Sequence, residues 1–495
     1  MARESAPVEL SGKPAVRRRI QQSRERLLAA LKRGEIIYGV NTGLGTHARF
    51  VLPEGAAERF QETNLLQLCC GTGPPLESEI VRAAMLLRAV TLALGYSAVR
   101  PEVIEQLVLL LDAGVTPVAP RYGSVGASGD LIPSAYIARA LLGQGSVVYR
   151  GRTQTASRAL AQAGITPLRL SYKEGLSLIN GTTVMTGAAA LAVEDSGAVL
   201  RAFLAAAALA VEALGASAEP YEDWVQRVKG HAGQKAAGRY LCRLLTGSSA
   251  VGSTAELRRR AKTEPVLIQS MYSVRCIPQG IGPMHETLAA VRAVVETEAN
   301  SANDNPLVDP ATGRMYHTGN FYGGHIARAM DGLKLDVANL ANWSNALMAV
   351  LVDERFSNGL PPALTAEPGV NTGFKGMQLS LTSLACAVRQ IASPSTVHPL
   401  PTEQHNQDMV SLGVHAALTA REALERTRDA VAILLLAACQ AVDLRGAAGK
   451  LGAGTRQVYR TIRTLSQFVT ADRPMEGDIA AVSRAILRGN LPLPG

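Results

Sequence analysis

A chain of 495 residues, 47% hydrophobic and 18% charged, can bury a large core; this excludes a disordered chain and allows about two to four domains. The excess of 50 Lys+Arg over 41 Asp+Glu is scattered, with runs only at Arg17–Arg19 and Arg258–Arg260, so it argues against a nucleic-acid surface. The longest apolar runs, Ala202–Val211 and Val431–Cys439, are too short to span a bilayer, and six cysteines without a Cys-x-x-Cys pair indicate neither disulfides nor a zinc site.

The N-terminus has no apolar signal core, so a cytoplasmic protein with no membrane partner is expected. Alanine, leucine and valine dominate and aromatics are only 4%, which favours packed helices over sheets. A charged amphipathic helix is expected from Lys13 to Arg33. A strand-like piece running into a glycine loop follows over Glu35–Gly45, and it carries Tyr38. Further helices are read over Ala56–Cys70, Glu77–Ala93, Pro101–Ala113 and the segment after Pro133. Ser146–Arg152 reads as a strand and turn, and Ser171–Val184 brings Asn180 beside Gly181 in a loop. From Met185 onward apolar residues recur at three and four over 185–215, 283–302, 323–352, 372–393 and 409–443. The fold class is therefore mainly α: an elongated bundle of long antiparallel helices with a smaller, loop-rich N-terminal domain. A boundary is expected near 190, giving domains 1–190 and 191–495.

The stretch Gly123–Asp130, GSVGASGD, has three glycines and suits a special backbone shape. It is no nucleophile elbow, because Asp130 stands where G-x-S-x-G needs glycine, and its spacing fits neither the dinucleotide fingerprint nor a P-loop. Another chemistry uses all of Ala127, Ser128 and Gly129. In a tight loop the Gly129 nitrogen can attack the Ala127 carbonyl carbon, because glycine has no Cβ to block it. Loss of two waters, one taking the Ser128 hydroxyl, leaves a five-membered ring with an exocyclic methylidene, an electrophile made from the chain itself.

With its flanks Asp130-Leu131 and Pro133, this triad resembles that of the aromatic amino acid ammonia-lyase and aminomutase family, whose prosthetic group is this methylidene-imidazolone (MIO). The likeness runs from Tyr38 to Gln440–Gly446. It implies that Tyr38, in Tyr-Gly-Val-Asn-Thr-Gly, is the catalytic base and that the Asn180 amide faces the ring. In MYSVRCIPQ it implies Arg275 as carboxylate clamp and Tyr272 as a phenol beside the ring, with Gln269 another family position. Asn303-Asp304-Asn305 would form a turn under the site, Phe321 would pack on the ring, and Asn320 would bond the carboxylate. In EQHNQD, Glu403 would handle the amino group, with Lys375 nearby. Gln407 stands where histidine ammonia-lyases carry glutamate, which argues against histidine. Ring specificity falls on Gln67-Leu68, a pair unlike the usual ones. A buried Gln67 would donate to a phenol, since an amide left unpaired there costs about 1–3 kcal/mol; otherwise it bonds elsewhere and leaves an apolar pocket.

The implied activity is elimination of ammonia from phenylalanine or tyrosine to a trans-arylacrylate, without metal or pyridoxal phosphate. The alternatives are a 2,3-aminomutase giving a β-amino acid and, less fitting, a histidine ammonia-lyase. The family pattern also implies a homotetramer whose sites combine residues of three chains.

Overall fold

Helices occupy the stretches where alanine, leucine and other good helix formers repeat at helical spacing, and glycines end several of them. The computed structural model describes residues 2–4, 6–53, 55–263 and 268–494. Among these lie 18 α-helices and seven short strands, a mainly α fold. Two compact units arise. The first comprises residues 1–191, 292–331 and 394–418; the second comprises 192–291, 332–393 and 419–495. The break after Leu191 falls beside the expected boundary at 190, but the chain then returns twice to the first unit, which a single cut in the sequence does not capture.

The first unit starts with the amphipathic helix Pro14–Lys32, which buries Ile20, Leu27 and Ala30. Helices Ser78–Ala93 and Pro101–Ala113 pack on each other. Ser146–Tyr149 and Arg152–Thr155 form a hairpin turned by Arg150 and Gly151, both at positive φ. The expected strand over Glu35–Gly45 does not form. Asn41 Oδ1 accepts from the Ile37 amide and Asn41 Nδ2 donates to the Glu35 carbonyl, folding the segment into turns instead. The helix read as following Pro133 starts earlier, at Leu131, because proline is tolerated in a first turn where its missing N–H is not needed.

In the second unit the helices are apolar around much of their circumference. Ala202–Val211 and Val431–Cys439 are buried throughout, as core helices require. Helix Thr183–Ala213, which carries the chain from the first unit into the second, is long and apolar enough to cross a membrane. Yet 83% of its apolar window is buried in the protein. The helix expected from 283 starts at Ile277 and accommodates Pro283 inside it.

Candidate active site

The site belongs to the first unit and is built from four loops. The Tyr38 turn comes first. The phenol oxygen accepts from the Gly45 amide at 3.1 Å, and the His317 ring stands edge-on at 6.3 Å. Burial pushes the Tyr38 phenol above its ordinary value; the Gly45 amide opposes this and the Glu403 carboxylate adds to it. Gly45, at φ +56°, leaves no room for a side chain, because the Glu403 carboxylate lies against it.

The triad loop comes second. Ser124 Oγ accepts from the Gly126 amide at 3.1 Å and donates to the Gly129 carbonyl at 3.4 Å, closing the loop on itself. Ser128 has φ +49°, rare for a residue with a Cβ, and Gly129 follows at +82°. The Gly181 carbonyl sits where a Gly129 side chain would be.

That contact introduces the third loop, Asn180–Thr182, a break between helices Glu174–Ile179 and Thr183–Ala213. The Gly181 amide donates to the Ser128 carbonyl at 3.2 Å, and the Asp130 amide donates to the Gly181 carbonyl at 2.8 Å. Asp130 Oδ2 then accepts from the amides of Val184 and Met185, both at 2.8 Å, capping the long helix. Burial pushes the Asp130 carboxyl up to about 7, against the two amides and Arg88. Asn180 is buried, and its Oδ1 has no hydrogen-bond partner among the described residues.

The fourth loop is a tight hairpin closed by Thr402 and Gln407, whose backbones bond in both directions. Glu403, Gln404 and His405 all have positive φ inside it. Gln407 Nε2 donates to Ser128 Oγ at 3.3 Å.

Together these loops enclose a cavity of ≈ 250 Å³. That is a little below the usual range of ligand cavities, which starts at about 300 Å³. Of the residues expected in the site, Tyr38, Gln67, Leu68, Ala127, Ser128, Asn180, Glu403 and Gln407 line it, and Gly129 adjoins it. Leu44, Ile132 and Leu176 supply apolar wall. Gln67 is exposed in the chain rather than buried, because it ends its helix, and its amide donates to Asn64 Oδ1 at 3.2 Å. Asn320 and Phe321 are not among the lining residues. Asn320 is exposed, with Nδ2 donating to the Ala302 carbonyl and Oδ1 accepting from Thr318. Gln269, Tyr272, Arg275 and Lys375 belong to the second unit. There the Arg275 guanidinium lies over the Tyr272 ring at 4.6 Å, and Tyr272 is 71% exposed. Asn303–Asn305 are buried, and Asp304 pairs with fully buried Lys173 at 2.6 Å.

Sequence reasoning passed over Arg88, the capping role of Asp130, and Asn64. Asp130 was legible only as a flank of the triad. Arg88 gave no signal, standing in an ordinary helical pattern.

The chain matches the aromatic amino acid lyase family over residues 1–464. It is 40% identical over 469 residues to the tyrosine ammonia-lyase of Cupriavidus metallidurans, covering 92% of this chain and 87% of that protein. It is likewise 40% identical over 454 residues to the histidine ammonia-lyase of Geobacillus kaustophilus, covering 92% and 88%. Among solved structures, the Pantoea agglomerans phenylalanine aminomutase superposes with a TM-score of 0.94 at 33% identity, over 98% of this chain and 95% of that one. By these matches this chain belongs to the aromatic amino acid lyase family and is a carbon–nitrogen lyase.

Proposed function

We propose that the protein eliminates ammonia from L-phenylalanine or L-tyrosine to give the trans-arylacrylate, with a methylidene-imidazolone formed from Ala127, Ser128 and Gly129. The observation that carries this reading is one cavity that holds the Tyr38 phenol and Ser128 together and is walled by Leu44, Leu68, Ile132 and Leu176. The triad fits the group. Successive positive φ values at Ser128 and Gly129 bend the loop tightly, and the Gly181 carbonyl fills the space that any residue larger than glycine would need at 129. Once formed, the ring would supply an electrophile for the substrate nitrogen.

The chain's own residues do the rest. Tyr38, as phenolate, takes the β-proton on its phenol oxygen, and the Gly45 N–H steadies the charge there. Glu403 holds a proton of the amino group, and Asn180, which lines the cavity, carries a buried amide oxygen without a partner among the described residues. The leucine wall seats the aromatic ring and keeps water from it. Arg275 serves as carboxylate clamp, with Tyr272 beside it; both come from partner subunits of a homotetramer, as do Gln269 and Lys375. The wide exposure of Tyr272 in the single chain supports that assignment, since a large ring at a working site is expected to be covered. Asn320 and Phe321 complete the substrate contacts in the assembled enzyme. The enzyme works in the cytoplasm and has neither nucleic acid nor membrane as partner.

Gln407 presents an amide, not a carboxylate, toward Ser128, which favours a benzenoid ring over imidazole. An aminomutase reading is favoured by one observation, the 0.94 TM-score to a phenylalanine aminomutase. Incubation with L-phenylalanine, L-tyrosine and L-histidine, with products identified by chromatography and mass spectrometry, separates the readings. Arylacrylate from phenylalanine or tyrosine is expected. A β-amino acid as main product would give the aminomutase, and turnover of histidine alone would overturn the substrate assignment.

A further inference from the structure

The helix break that presents Asn180 also holds the triad loop, and a single side chain spans that break from beneath. Arg88 lies on helix Ser78–Ala93, is 2% exposed, and reaches residues some 90 positions later in the chain. Its Nη1 donates to the Asn180 carbonyl at 2.8 Å and to the Ser177 carbonyl at 3.2 Å; its Nη2 donates to Thr183 Oγ1 at 3.3 Å. Thus one guanidinium ties the end of helix Glu174–Ile179 to the start of helix Thr183–Ala213. A helix end leaves carbonyls without helical partners, and when that end is buried some donor must meet them. A planar fork with several fixed N–H groups can meet acceptors on both sides of a break at once, whereas an ammonium is a single point.

Two consequences follow at the cavity. Asn180 lines the cavity, its buried Oδ1 has no partner among the described residues, and its backbone is pinned by Arg88. Gly181, the next residue, carries the two backbone bonds to Ser128 and Asp130 that register the triad loop. A side chain at Gly181 would meet Asn303 and Arg88 itself, so the break is packed directly on the guanidinium. We infer that Arg88 is a positioning residue of this site: it sets the Asn180 amide in the cavity and, through Gly181, the geometry of Ala127-Ser128-Gly129. This rests on the reading of the triad given above. Burial lowers the Arg88 guanidinium to about 10, with Asp304 and Asp130 opposing, so it stays charged at neutral pH.

The test uses the full-length protein with Arg88→Met and Arg88→Lys, the latter keeping the charge should the former fold poorly. It has two readouts. Peptide mass spectrometry measures the fraction of the 127–129 segment that has lost two waters. Steady-state kinetics is run on whichever aromatic amino acid the unsubstituted protein consumes. In Arg88→Met, intact segment should accumulate, and kcat per dehydrated site should fall about 100-fold, the scale of a 1 Å misplacement, with KM changed far less. Arg88→Lys should recover part of both losses. In an Asn180→Ala background, Arg88→Met should lower kcat per dehydrated site by less than about threefold, because its effect passes through Asn180. The inference is overturned if Arg88→Met or Arg88→Lys matures fully and keeps its kcat, or if the kcat losses multiply independently. Failure of the triad reading itself is seen separately, as an undehydrated segment in the unsubstituted protein.

Discussion

Tyr38, the proposed base, sits in surroundings that work against its ionisation. Burial raises its phenol, Glu403 raises it further, and only the Gly45 amide helps the phenolate. If Tyr38 is the proposed base, its deprotonated form is the active one and the alkaline rise in kcat/KM reports this residue. Replacing Glu403 with glutamine removes a nearby negative charge, so the rise should move to lower pH even as turnover drops; an unmoved limb would separate the two groups. Tyr38→Phe should leave the triad's loss of two waters intact by mass yet cut kcat at least about 100-fold, the usual share of a positioned base. Near-normal turnover in that variant would assign the proton to another group. Both residues were readable in the chain as motif members. Their mutual influence was not, because it depends on Gly45 leaving space for the Glu403 carboxylate next to the phenol.

At the scale of the element, the long helix Thr183–Ala213 starts on a carboxylate from another loop. Asp130 accepts from Val184 and Met185, and the N-terminal dipole favours a negative charge there, but complete burial wins and the carboxyl rises from 3.8 to about 7. The sign follows from proton binding. The folded state holds this proton more tightly than the unfolded one, so the contribution is full below about pH 4 and is lost as pH rises through 7. Asp130→Asn keeps an acceptor for the two amides and does not titrate. Between about pH 4 and 7, therefore, the melting temperature of the parent should fall relative to that of the variant; a constant difference would show that Asp130 does not titrate in this range. The turn over residues 35–45 carries a related lesson. Its apolar run reads as a strand, yet Asn41 side-chain bonds to Ile37 and Glu35 close it locally. Local side-chain competition decides such segments more than hydrophobicity does.

For the whole molecule, large apolar groups remain uncovered in the single chain: Val370 at 82%, Leu400 at 76% and Leu379 at 67% exposed, besides Tyr272. A homotetramer is the assembly proposed to cover residues of this kind. Light scattering at micromolar concentration should give four times the chain mass, and dilution to monomer should abolish turnover; an active monomer would refute composite sites. The sequence by itself pointed to Tyr38, the triad and the Glu403–Gln407 cluster as the proposed chemistry-bearing pieces, because each is a short local motif that resembles the family's. It also determined the mainly helical class, because periodicity is a property of neighbouring residues. Only the tertiary structure decided that residues 292–331 and 394–418 return to the first unit, that Gln67 lies exposed against Asn64, and that Arg88 and Asp130 brace the break at Asn180. Those contacts join residues far apart in the chain, where no spacing rule records which buried carbonyl or amide will meet which side chain.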